Sequence, residues 1–248
     1  MQHFKRAVDT AWHEYKTSEQ LFVKFDDQVT VDQLAAMIDH TRLKPDSVKS
    51  EIEKLCEEAA EYKFASVCVN PYWVSFCASK LANSNVPVCS VTGFPLGANT
   101  SVAKSREAQQ AVLDGAEEID MVMNIGALKD GLYSVVHDDI AQVVEVSEPA
   151  HVKVIIETCF LSDYEKVAAC VLAKTAGAHF VKTSTGFGEK GAVVHDVALM
   201  RRVVGHDLGV KAAGGMRSYQ ETVEMIQAGA NRIGASSGID IIYGAASE

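Results

Sequence analysis

No apolar run in this sequence approaches the roughly 20 residues that a membrane helix needs, and the N-terminal MQHFKRAVDTAWHEYK lacks the apolar stretch of a secretory leader. A basic block is missing as well: 23 Lys and Arg stand against 33 Asp and Glu, for a net charge of −10. That balance argues against charge-driven binding to nucleic acid or anionic membranes and leaves small molecules as the expected partners. The six cysteines (Cys56, Cys68, Cys77, Cys89, Cys159, Cys170) form no C-x-x-C pair and sit in apolar runs. This is the pattern of reduced core thiols in an intracellular protein, and a cytoplasmic location is expected. Eight histidines are scattered, only His40 falling near a candidate site, and no His/Cys/Asp cluster has metal-ligand spacing. No metal and no cofactor are expected.

What is present is repetition. Short apolar runs at 35–39, 65–70, 86–93, 118–124, 151–158, 179–185, 209–215 and 232–237 alternate with segments of helical period. Val48, Ile52, Leu55, Cys56 and Ala59 share one helical face, as do Val136, Ile140, Val143 and Val144. Ser162-x-x-Glu165 and Ser218-x-x-Glu221 have capping-box form where a helix should follow a strand, and DGA (114–116), AGA (176–178) and AGA (228–230) place a glycine at a helix stop. Eight strand–helix units in 248 residues predict a (β/α)8 barrel over residues 31–248, an open doubly wound sheet being the alternative. Residues 1–30 stand outside the repeat and read as a helical extension against the barrel.

Strand alternation then selects chemistry. In HFVKTST, Lys182 shares a face with Phe180 and Ser184; if Val181 meets the helices, Lys182 points into the barrel. Lys211 in GVKAAGG sits on the next strand, so two inward lysines are expected side by side. A structural site avoids that pairing; a catalytic one exploits it, because like charge and desolvation both depress a lysine pKa and free the amine for attack on a carbonyl. EIDMVMN puts Asp120 inside with them, as an ion-pair partner and proton carrier. Lys153 and Glu157 share a face of the fifth strand and read as a structural ion pair. Asp39, in Asp39-His40-Thr41 at the end of the first strand, has three candidate roles: orienting Lys211, binding substrate hydroxyls with Thr41, or capping the next helix.

An anion site is expected in the loops after the last strands: Gly214-Gly215-Met216-Arg217-Ser218 and Gly234-Ala235-Ser236-Ser237 offer bare amides and hydroxyls. Thr185, Gly186 and Gly188 would extend the cradle, with Lys190 as a counter-charge. Asn70 is a candidate for a substrate hydroxyl and Cys68 for pocket wall.

Taken in order, IDHTRLKP (38–45), SVCVNP (66–71), VTGFPLG (91–97), EIDMVMNIG (118–126), KVIIET (153–158), VKTSTGF (181–187), VKAAGGMR (210–217) and RIGASSG (232–238) resemble the deoxyribose-phosphate aldolases from about residue 31 to 240. The resemblance implies a class I aldolase that reversibly cleaves 2-deoxy-D-ribose 5-phosphate to D-glyceraldehyde 3-phosphate and acetaldehyde in deoxyribonucleoside catabolism, as a homo-oligomer, dimer or tetramer. It further implies Lys182 as the Schiff-base lysine, Lys211 as its assistant and Asp120 as the acid/base. The rival readings are a transaldolase-like Schiff-base enzyme, a pyridoxal-phosphate enzyme and a non-catalytic sugar-phosphate-binding barrel.

Overall fold

The computed structural model describes residues 2–17 and 29–246. Eight parallel strands, β1 (Ile38–Arg42), β2 (Ser66–Val69), β3 (Val88–Thr92), β4 (Glu118–Val122), β5 (His151–Ile155), β6 (Phe180–Lys182), β7 (Gly209–Ala213) and β8 (Arg232–Ala235), pair in sequence order and close when β8 meets β1. The chain begins with α1 (Gln2–Thr17) and α2 (Val31–Ala35). Between and after the strands come α3 (Lys49–Tyr62), α4 (Val74–Leu81), α5 (Ser101–Leu113), α6 (Ile125–Lys129), α7 (Tyr133–Ser147), α8 (Asp163–Thr175), α9 (Val194–Val204), α10 (Tyr219–Gln227) and α11 (Gly238–Ala245). This is the expected (β/α)8 barrel. No described helix is long and apolar enough to cross a membrane.

Period-two alternation divides the strand residues between two environments. Ile119, Met121, Val152, Val154, Val181, Val210 and Ala212 are fully buried in the shell between strands and helices, where each large aliphatic side chain contributes roughly 1.5–3 kcal/mol. The opposite faces fill the barrel, where Cys68, Cys89, Val91 and Leu43 form a small apolar cluster and ionisable groups take most of the remaining space.

Both expected capping boxes form, Ser162 with Glu165 and Ser218 with Glu221, and Gly115, Gly177 and Gly229 take positive φ at helix stops. Two details differ from expectation. Residues 35 and 36 finish α2, which a third capping box (Thr30 with Gln33) opens, so β1 starts later and runs on through Thr41 and Arg42. Val48 is 55% exposed because it is the N-cap of α3 rather than part of its buried face, whereas Ile52, Leu55, Cys56 and Ala59 are buried.

α1 lies on the outside of the barrel against α7, α8 and α9. Trp12 meets Tyr164 edge to face, the Tyr164 hydroxyl donates to Asp9 at 2.7 Å, and the Arg202 guanidinium lies over Tyr15. The expected extension is thus helical over residues 2–17, and residues 18–28 lie outside the described residues.

Candidate active site

Inward positions on six strands assemble one buried charge cluster. Strand register sets Asp120 beside Lys153, Lys182 beside Lys211 and Lys211 beside Arg232. Lys182 Nζ and Lys211 Nζ both donate to the same oxygen, Asp120 Oδ2, each at 2.7 Å. The other oxygen, Oδ1, accepts from Lys153 at 2.9 Å, and Lys153 also reaches Glu118 at 2.6 Å. Asp39 pairs with Lys211 and with Arg232, and Arg232 continues to Glu118. Lys153, Lys182, Lys211 and Arg232 therefore face Asp39, Glu118 and Asp120, four cations to three carboxylates.

Burial alone would raise the Asp120 carboxyl, but Lys153, Lys182 and Lys211 outweigh it and hold it well below the usual carboxylate range. Asp39 is lowered against the same burial by Lys211, Lys153 and Arg232. For Lys211, burial works downward, and Asp120 with Asp39 more than reverse it, so its ammonium is held above the ordinary lysine value. Lys153 is raised in the same way, chiefly by Asp120 against burial. These two lysines stay charged. Lys182 differs in position: it is the lysine of the cluster that also lines a cavity, at the carboxyl ends of the strands.

The two expected lysines are adjacent, but a carboxylate oxygen bridges them, so their charges do not meet unscreened. The expected Lys153–Glu157 pair is not formed. β5 ends at Ile155, and Glu157 follows in the left-handed region at φ 52°, which swings its carboxylate away from the barrel interior. It accepts instead from the Thr185 amide at 3.2 Å and from the Thr185 hydroxyl, and the Phe187 amide then donates to Thr185 Oγ1 at 3.0 Å. A buried carboxylate thus holds the turn that follows Lys182.

The cavity has a volume of about 490 Å³. Its wall contains Thr41, Lys182, Thr185, Gly186, Gly214, Gly215, Gly234, Ser236 and Ser237, all expected from the sequence. Glycine is required at two places here. A Cβ on Gly234 would lie 2.9 Å from the Ala213 Cβ and 3.1 Å from the Lys211 stem, and Gly214 has φ +87° with Gly191 packed 3.0 Å from where its Cβ would stand. The two last loops are not equivalent as anion sites. At α10, Ser218 and Glu221 consume the first amides, and Glu221 also accepts from the Arg217 amide at 2.9 Å. At α11 the N-cap Ser237 makes no side-chain capping bond, which leaves those N–H groups for a ligand.

Several expectations shift. Cys68 is fully buried beneath the cavity with Sγ 4.0 Å from Asp120, Asn70 donates to the Leu43 carbonyl at 3.2 Å, and neither lines the cavity. Gly188 packs against Glu157 and Cys159, and neither it nor Lys190 is in the lining. Asp39 is fully buried and caps no helix, since Val48 opens α3; of its three candidate roles the geometry supports orienting Lys211. Positive charge at the cavity comes instead from Arg42, Lys44 and Arg217, with Phe187 as an apolar wall. Arg42 ends β1 and Lys44 follows it, where the logic applied to the last loops would have found them. Glu118 and Arg232 lie two residues before Asp120 and Gly234, on the same faces, so the alternation rule already contained them.

Among the described residues, two groups have metal-ligand geometry: Cys68, Cys89 and Asp120, and Asp163, His195 and Asp196. In the second, Lys166 already bonds Asp163 at 3.1 Å and Asp196 at 2.6 Å.

Fold and cavity together define a (β/α)8 barrel with a cavity at the carboxyl ends of its strands, the end at which barrel enzymes carry their active sites. Comparison with known proteins narrows the class. Residues 29–244 match the family model for DeoC/LacD family aldolases. A deoxyribose-phosphate aldolase of Thermococcus kodakarensis is 59% identical over 220 residues, covering 87% of this chain and 98% of the relative. One from Streptococcus suis is 57% identical over 213 residues, covering 86% and 97%. Among solved structures, a protein from Coccidioides immitis described as a deoxyribose-phosphate aldolase superposes with TM-score 0.92 at 38% identity over 98% of this chain and 96% of its own. The tetrameric deoxyribose phosphate aldolase of Aeropyrum pernix gives TM-score 0.81 at 32% identity, covering 86% and 91%. The chain belongs to the DeoC/LacD family of aldolases.

Proposed function

We propose that this chain is a deoxyribose-phosphate aldolase that works through a Schiff base on Lys182. The observation that carries the reading is the position of Lys182: its Nζ is 2.7 Å from Asp120 and its side chain lines the cavity, whereas Lys153 and Lys211 are fully buried.

The neutral Lys182 amine adds to the C1 aldehyde of open-chain 2-deoxyribose 5-phosphate; loss of water gives an iminium, the electron sink for the next step. Deprotonation of the C3 hydroxyl breaks the C2–C3 bond, which releases glyceraldehyde 3-phosphate and leaves an enamine on Lys182. Protonation at C2 and hydrolysis then free acetaldehyde and the lysine. Asp120 is fully buried, so it exchanges protons with substrate through a water, with Lys211 and Lys153 holding its charge in place. The phosphate sits at the α11 N-terminus and the Gly214–Gly215 turn, with Arg42, Lys44 and Arg217 about it, and fixing that end orients the reacting one. Assembly as a homo-oligomer is part of the proposal, and the tetrameric relative supports it.

The test is cleavage of 2-deoxyribose 5-phosphate by the purified protein, read as acetaldehyde release. Release that disappears in Lys182→Ala supports the reading; release undiminished in that variant overturns it.

A further inference from the structure

The barrel floor holds an ion pair that the proposed reaction never touches. Glu118 opens β4 and Arg232 opens β8, strands that lie opposite each other in the closed order, and the two side chains meet across the barrel. Both line a second cavity, of about 650 Å³, at the amino-terminal ends of the strands, together with Glu117, Pro149 and His151. Lys182 ends β6 and lines the cavity at the carboxyl ends, so a substrate held there is out of their reach. Their charges are not. Lys182 donates to Asp120 at 2.7 Å, Asp120 accepts from Lys153 at 2.9 Å, and Lys153 reaches Glu118 at 2.6 Å. That chain of contacts puts the Glu118 charge within about 10 Å of the Lys182 amine, a range over which buried charges still act on each other. Arg232 joins the same cluster through Asp39, which Lys211 shares.

With every member ionised, four cations face three carboxylates, and the buried cluster carries one surplus positive charge. Surplus charge is costly away from water, and the loss of one ammonium proton balances the cluster at three to three. A guanidinium does not give up its proton, and at Arg232 the pull of Asp39 and Glu118 overcomes burial. Lys153 and Lys211 are held charged by Asp120, and both are sealed from solvent. Lys182 is the member whose proton can leave into the cavity. The other groups about it do not alter the count. The Cys68 and Cys89 thiols border the Asp120 carboxylate, which disfavours a thiolate at either. Glu157 is turned to Thr185 and Arg42 is paired with Glu51, while Lys44 and Arg217 are exposed on the open wall, where water screens them. We propose that Glu118 and Arg232 are positioning residues that fix the charge count of the cluster, so that it balances when Lys182 is the free amine. The consequence for catalysis rests on the Schiff-base reading of Lys182; the count itself rests on geometry.

The experiment titrates Lys182 by two reactions across a range of pH. Trace acetylation with acetic anhydride, mapped by mass spectrometry, reads the free amine whatever the protein catalyses, and borohydride trapping of acetaldehyde reads the same amine as a nucleophile. At an effective dielectric of about 20, one unit charge about 10 Å away moves a midpoint by about one pH unit, or tenfold in free amine. Glu118→Gln adds a second surplus positive charge and should move the Lys182 acetylation midpoint by about that much toward acid. Arg232→Gln removes the surplus and should move it as far toward alkali. The double variant Glu118→Gln/Arg232→Gln should return to the wild-type midpoint, and Arg232→Lys, which keeps the charge and changes the shape, should stay there. Midpoints that do not move, or that move the same way in both single variants, overturn the proposal. Should Glu118→Gln fail to fold, Arg232→Gln against Arg232→Lys decides alone, equal midpoints being the contrary result. Wild-type protein that is acetylated at Lys182 and traps no acetaldehyde would instead sink the Schiff-base reading, while the acetylation midpoints still decide the charge count.

Discussion

Two buried lysine–aspartate pairs in this molecule look alike and differ in what surrounds them. Lys104 on α5 meets Asp139 on α7 at 2.6 Å; Lys182 on β6 meets Asp120 on β4 at 2.7 Å; all four side chains are at most 3% exposed. The helix pair is closed, one cation to one anion between packed helices, with the Lys104 stem filling the space beside Gly93. The barrel pair is open in two senses, since Asp120 is shared with Lys211 and Lys153 and Lys182 reaches a cavity. If the proposed Schiff base forms on Lys182, burial and an ion pair do not by themselves make a lysine reactive. What sets Lys182 apart in the structure is a carboxylate shared with other cations and a side chain that reaches a cavity.

The sharpest way to break this comparison is to remove each lysine. Lys182→Ala should lower turnover by roughly four orders of magnitude or more with the fold retained, because Lys153 and Lys211 still neutralise Asp120. Lys104→Met should do the reverse, costing about 3–5 kcal/mol in denaturant unfolding by stranding Asp139, with kcat per folded molecule nearly unchanged. Lys104→Met/Asp139→Leu should recover most of that stability. An equal loss of turnover in the two lysine variants would erase the distinction. Next in size, Lys211→Met should lower kcat by about 10²–10⁴-fold while acetaldehyde is still trapped on Lys182. Absence of adduct there would place Lys211 in Schiff-base formation itself.

A smaller effect is expected at the turn after Lys182. Glu157→Gln keeps the shape but weakens the bonds to Thr185, and it should raise KM about tenfold for the phosphorylated sugar with a smaller change in kcat. Equal loss in both parameters would contradict a positioning role.

The pairs should also part in alkali. Burial holds Lys104 below the ordinary lysine value, whereas Asp120 and Asp39 overcome burial and raise Lys211. A lowered lysine adds stability that is complete above its unfolded value near about 10.4 and is lost as pH falls through its folded value. A raised one adds stability that is complete below about 10.4 and is lost as pH rises through its folded value. As pH rises toward about 10.4, the unfolding free energy of wild type minus that of Lys104→Met/Asp139→Leu should grow, and above about pH 10.4 that of wild type minus Lys211→Met should shrink. The smallest effect of all is expected from chelation: exhaustive EDTA treatment should leave the cleavage rate undiminished, and a loss restored by a divalent ion would point to metal-dependent chemistry.

Much of the barrel and of its reacting end was legible because both obey short periods. Strand alternation alone sends Lys182, Lys211 and Asp120 inward, and the capping boxes mark where α8 and α10 begin. The same rule reaches Glu118 and Arg232, which pass unnoticed as charged residues at strand starts, where solvent is the ordinary neighbour. Glu157 escapes the rule, since one left-handed residue beyond β5 redirects its side chain and no pattern in KVIIET announces it. Lys104 and Asp139 are less legible still, being 35 residues apart on two helices that only tertiary packing brings together. The cavity-lining glycines are readable by position, but which helix start stays free of its own cap depends on Ser237 lacking the bond that Ser218 makes.

The comparison turns on which lysine meets a carbonyl, and one labelling experiment asks this directly. The protein is incubated with acetaldehyde, reduced with borohydride, digested and mapped by mass spectrometry. A single ethyl adduct on Lys182, absent from the Lys182→Ala protein, is the result expected. Label on Lys104, Lys153 or Lys211, or no label in a protein that still cleaves 2-deoxyribose 5-phosphate, would contradict the account.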